Sequence, residues 1–102
     1  METLKTQREF QRVYKNGKAL HTPFFVLFYL KNADTKVGFV ASKKVGKAVK
    51  RNRAKRLLRA LLTNFNKPLP SGSYIFVAKP KILEVNFATL QRSFANVMQR
   101  VV

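Results

Sequence analysis

The chain has 102 residues, with 21 Lys and Arg against 4 Asp and Glu, so it carries a net charge of +17 at pH 7. That length closes one hydrophobic core and not two, so residues 1–102 are read as a single domain. Hydrophobic residues make up 46% of the chain, with 9 Phe and 3 Tyr, which excludes a disordered basic tail. The absence of Cys excludes disulfide frameworks, zinc knuckles and thiol nucleophiles together. A folded domain usually carries a net charge of roughly 2 to 8 in magnitude. The larger excess points to polyphosphate, and hence to nucleic acid, as the partner. The longest apolar run, Phe24 to Leu30, is far shorter than the roughly 18 residues of a membrane span. The opening Met1-Glu2-Thr3-Leu4-Lys5 lacks the layout of a secretory signal, so a cytoplasmic location without membrane contact is expected.

Thr6-Gln7-Arg8-Glu9 has the spacing of a capping box and predicts a helix over about 7–16, with Phe10, Val13 and Tyr14 on one face. Asn16-Gly17 predicts a left-handed stop for that helix. Phe24 to Leu30 is apolar on both parities and reads as a strand covered on both faces. Lys36 to Ser42 reads as a second strand, expected to pair with the first as an antiparallel hairpin through the polar turn 31–35. From about Val45 to Asn64 the period becomes helical, with Ala54, Leu57, Leu58, Leu61, Leu62 and Phe65 as a stripe. Asn52, Lys55, Arg56 and Arg59 lie opposite that stripe. Asn66 to Gly72 is a loop, Ser73 to Lys79 a third strand, and Asn86 caps a last helix carrying Phe87, Leu90, Phe94, Val97, Met98 and Val101. The order is αββαβα and the class α+β.

Nine basic residues fall within seventeen positions: Lys43, Lys44, Lys47, Lys50, Arg51, Arg53, Lys55, Arg56 and Arg59. No Asp or Glu occurs between Asp34 and Glu84, so local ion pairs do not neutralise this field. The stripe begins in earnest only at Ala54, so the first helical turns project from the core. A helix N-terminus ringed by Lys and Arg suits RNA phosphates; the bland alternative is a solvated basic helix. Most of the Phe side chains read as core. Phe10 and Tyr14 on a short helix opposite a doubly apolar strand also allow a cleft, in which Arg8, Arg12 and Lys15 could hold a nucleic-acid strand. Glu2, Glu9, Asp34 and Glu84 are scattered, and the single histidine, His21, reads as an exposed loop residue without an acid or base partner. No catalytic residue and no metal site are expected on the protein.

The stretch Ser42-Lys43-Lys44-Val45-Gly46-Lys47-Ala48-Val49-Lys50-Arg51-Asn52-Arg53-Ala54-Lys55-Arg56 resembles the RNR motif of the bacterial ribonuclease P protein subunit. Phe10 to Gly17 is similar to that family's first helix, and Phe25 to Phe28, Val37 to Phe39 and Tyr74 to Ala78 are similar to its strands in order. The resemblance implies a compact α/β sandwich with a left-handed strand-helix-strand crossover, similar to a domain of ribosomal protein S5 and of elongation factor G. It implies that an RNA subunit is the catalyst, binding Mg2+ and removing the 5′ leader of precursor tRNA. It also implies that Arg51, Asn52, Arg53, Lys55 and Arg56, with Lys47 nearby, lie against that RNA. Lys43, Lys44, Lys50 and Arg59 extend the same candidate surface. Phe10, Tyr14 and Phe28 correspond to a cleft for the leader; Val26 shares the strand face of Phe28 by period-2 alternation, and Arg12 joins the cleft as a cation of the first helix. Ribonuclease P RNA and precursor tRNA are the implied partners, and no protein oligomer is required. A structural RNA binder such as a ribosomal protein shares the composition and remains the main alternative; a helical DNA-binding regulator fits the strand-rich interior poorly.

Overall fold

A computed structural model describes residues 2–101. Capping sets the first helix, α1 (Gln7–Asn16): the Thr6 hydroxyl accepts from the Glu9 backbone N–H, and the Glu9 carboxylate accepts from the Thr6 N–H. Its end departs from expectation, because Gly17 is extended (φ −82°) and not left-handed. Glycine is needed there for room, since a Cβ would lie 2.6 Å from the Tyr29 carbonyl oxygen.

Five strands form one sheet: β1 (Glu2–Thr3), β2 (Lys18–His21), β3 (Phe25–Lys31), β4 (Lys36–Ala41) and β5 (Gly72–Ala78), in the spatial order β1-β4-β5-β3-β2. The expected hairpin between β3 and β4 is not formed. Instead β5 lies between them, antiparallel to β3 and parallel to β4. Burial matches the order: six of the seven β5 residues are buried, with only Val77 partly open, so the most fully buried strand lies at the centre. The short 32–35 connection still reaches, because it needs to span only two strand spacings of about 4.8 Å.

The sequence pattern did not predict β1 or β2. Each is short, polar and at an edge, where charged residues keep a sheet from pairing further.

The major core lies on one face, where Phe25, Leu27, Val37, Tyr74 and Phe76 meet helix α2 (Ala48–Thr63) and helix α3 (Phe87–Gln99). Phe25, Phe76 and Phe94 have ring centroids 5.5–6.1 Å apart, so truncating any one to Ala removes about 3–5 kcal/mol. A smaller cluster on the other face joins Leu4, Val13 and Ile75, with Phe10, Tyr14 and Phe28 packed against it. The molecule is thus an α+β domain with α1 on one side of the sheet and α2 and α3 on the other.

The helical period begins later than Val45. Lys43–Val45 is a 3-10 turn with Val45 buried, and Gly46 at φ +133° breaks it from α2, which starts at Ala48. At the other end, the Asn86 side chain accepts from the Thr89 N–H and starts α3, as its position predicts.

Candidate nucleic-acid interface

On the α1 side, cross-strand register lays side chains out in rows. Phe28, Ile75 and Gly38 form one row, and Val26, Val77 and Val40 form the next. α1 covers the first row and leaves the three valines of the second partly exposed. The Tyr14 and Phe28 rings meet edge to face with centroids 4.9 Å apart, and Phe10 lies 6.4 Å from Tyr14. All three are partly exposed, so the rings form a wall continuing into an open apolar floor. Burial pushes the Tyr14 phenol up, which keeps its hydroxyl protonated and able to donate.

Gly38, which the sequence did not single out, makes this wall fit. A Cβ there would lie 2.8 Å from two carbons of the Phe10 ring, so only glycine lets Phe10 lie against β4. An isolated glycine within a strand pattern was the available signal.

Phe10, Tyr14, Phe28 and Val26 are therefore brought onto one face, but Arg12 is not with them. Two positions from Tyr14 on a helix, it projects to the other flank, lining a small polar cavity with Glu9, Leu30, Asn32, Lys36 and Ser73. In that cavity Lys36 Nζ donates to Glu9 Oε2 at 2.9 Å, the one ion pair among the described residues. Lys36 and the Thr6 and Lys5 backbone N–H groups together hold the Glu9 carboxyl down at about 2. His21, expected in a loop, is the last residue of β2; it is exposed, opposite Val26.

On the α2 side, Ala54, Leu58 and Leu61 are buried and Leu57 and Leu62 are packed against the core. That docking turns Asn52, Lys55, Arg56 and Arg59 outward around a shallow concavity of about 320 Å³. The Arg59 guanidinium stands 5.5 Å above the Phe39 ring, which holds it over β4. Lys43 and Lys44 are exposed on the 3-10 turn before the helix, Lys47, Lys50 and Arg53 are exposed at its start, and Arg51 is half-buried with its Nε unpaired. The α2 N-cap, Lys47, makes no side-chain capping bond, and the first turn carries no acid. None of these cations meets a carboxylate among the described residues. The surface can hold several phosphates through charge-assisted hydrogen bonds.

The family model for Ribonuclease P matches residues 1–102. The chain belongs to the ribonuclease P protein family. It is 54% identical over 101 residues to the ribonuclease P protein component of Nitratiruptor sp., covering 99% of this chain and 93% of that relative. It is 41% identical to the corresponding component of Caldanaerobacter subterraneus, over 95% and 86% of the two chains. Among solved structures, the ribonuclease P protein of Thermotoga maritima superposes with a TM-score of 0.86 at 29% identity, covering 100% of this chain and 99% of that one. The Staphylococcus aureus protein gives 0.84 at 26% identity, over 97% and 94%. The ribonuclease P protein is the protein part of a ribonucleoprotein endoribonuclease that processes tRNA, so the ribosomal-protein and DNA-regulator readings fall away.

No helix among the described residues is long and apolar enough to cross a membrane. No three His, Cys, Asp or Glu side chains among them converge where a metal ion could be held.

Proposed function

We propose that this chain clamps two RNA elements with the two sides of its sheet. The surface carrying Lys43, Lys44, Lys47, Lys50, Arg51, Asn52, Arg53, Lys55, Arg56 and Arg59 holds the ribonuclease P RNA. The cleft of Phe10, Tyr14, Phe28 and Val26 holds the 5′ leader of precursor tRNA. Arg12 meets the leader from the far flank of α1. The observation that carries this reading is the division of chemistry: unpaired cations gather on α2, while half-exposed rings gather under α1. Bases stack on rings with little regard to sequence, and phosphates bind cations, so each side suits a different part of an RNA.

The protein contributes position and charge, and the RNA contributes the reacting groups. We assign Mg2+ to the RNA, as the family resemblance implies; on the protein, the Glu9 carboxylate is already engaged by Lys36. Neutralising phosphates of both RNAs lowers the Mg2+ concentration at which they associate. The complex works in the cytoplasm, with one protein copy sufficient for these contacts.

The test is cleavage of precursor tRNA by a bacterial ribonuclease P RNA at low Mg2+, with and without the chain. The expected result is rescue of cleavage at the mature 5′ end. Tight RNA binding without rescue would refute the proposal.

A further inference from the structure

The RNA face just described leaves one side chain without a role. Val49 is 77% exposed, the one large hydrophobic residue so exposed among those described. It stands ahead of the apolar stripe that docks α2, and valine is a mediocre helix former, so it does nothing for the free protein. Its neighbours are specific. Val49, Arg53, Arg56 and Leu57 line one concavity of about 360 Å³ on a single flank of the helix. Leu57 is packed against the core and makes its floor firm. Arg56 also lines the neighbouring polar concavity with Asn52, Lys55 and Arg59, so the two hollows meet at that side chain.

A bare phosphate gains nothing from a valine and a leucine, and an apolar ligand gains nothing from two guanidinium groups. A nucleotide uses both. Its base offers a flat face for aliphatic contact and for stacking on a guanidinium plane, and its phosphate offers the counter-charge. The charge of +17 and the lack of any acid from 35 to 83 select a polyanion over a protein partner. We propose that Val49, Arg53, Arg56 and Leu57 form a pocket for one unstacked nucleotide of the RNA subunit. Its base lies on Val49 and Leu57, and its phosphate reaches Arg56. This rests on the reading of α2 as the RNA-subunit face and adds base contact to what is otherwise a phosphate-binding surface.

The experiment measures equilibrium binding of the full chain to ribonuclease P RNA over a salt series, with thermal unfolding of each protein. The variants are V49A, V49T, which keeps the shape but not the apolar surface, and R56A. Both Val49 variants are expected to bind about tenfold more weakly at every salt concentration. Their lines of log affinity against log salt run parallel to wild type, whereas R56A flattens the slope by about one. V49A unfolds no lower than wild type, because Ala is the better helix former. Wild-type affinity in both Val49 variants would overturn the pocket while leaving the RNA face standing. So would a changed salt slope in V49A, which would assign its effect to charge. Failure of the wild-type chain to bind the RNA would overturn the RNA face itself, and the pocket with it.

Discussion

The N-termini of α1 and α2 solve the same electrostatic problem in opposite ways. Both present unpaired N–H groups and the positive end of a helix dipole. At α1 the chain answers from within: Thr6 caps, Glu9 supplies the negative charge, and Lys36 fixes that carboxylate in place. At α2 nothing answers. Lys47 makes no capping bond, no acid follows it, and more cations crowd the same turns. Satisfied internally, α1 can serve as a rigid wall for a cleft. Left unsatisfied, α2 has its strongest interactions still to be made by an anion from outside.

The largest effect expected from this difference is the salt dependence of binding to the RNA subunit. With several phosphates neutralised at once, affinity should fall by about 10³ or more between 50 and 200 mM salt, read by equilibrium binding. A flat profile would remove the distinction on the α2 side.

On the α1 side, replacing Phe28 by Ala should weaken binding of leader-bearing tRNA by about 1–3 kcal/mol, with little effect on mature tRNA. Equal losses for the two ligands would make the ring a core residue only.

A sharper probe gives α2 the answer that α1 already has. Lys47→Asp supplies the missing cap and should stabilise the free protein by about 1 kcal/mol, seen as a higher melting temperature. The same change should weaken binding to the RNA, so stability and affinity move in opposite directions.

The smallest effect concerns Glu9. Its carboxyl is held down from 4.5 to about 2 in the folded state, so the unfolded chain takes up its proton first as pH falls. The stabilisation is fully present above pH 4.5 and is lost as pH falls toward 2. Thermal unfolding of wild type and E9Q should therefore differ by a constant amount above that range and converge below it. A gap that persists in acid would show that Glu9 acts by shape and not by charge.

Features that depend on near neighbours were legible in the sequence. The capping box placed α1, Asn86 placed the start of α3, and the spacing of Asn52, Lys55, Arg56 and Arg59 put them on one face of α2. Strand pairing was not legible, because the partner of β3 lies more than forty residues away and β5 wins the central place by burial. β2 offers one buried residue, Leu20, and a single apolar position cannot announce a strand. Arg12 was placed with the cleft because it shares a short helix with Phe10 and Tyr14; which flank it occupies depends on how α1 sits on the sheet. Val49 could have been noticed as the apolar residue that precedes its own stripe.

The central position of β5 also bears on how the protein is made. β3 and β4 leave the ribosome first, yet each has its long partner in β5, which comes later in the chain. Until residues 72–78 arrive, the aromatic-rich β3 and the apolar β4 keep open edges able to pair wrongly. The sheet closes in one late insertion and not hairpin by hairpin, so folding should be cooperative and set by long-range closure. The basic helix α2 is synthesised before that step, and RNA could therefore meet its charges before the domain is complete.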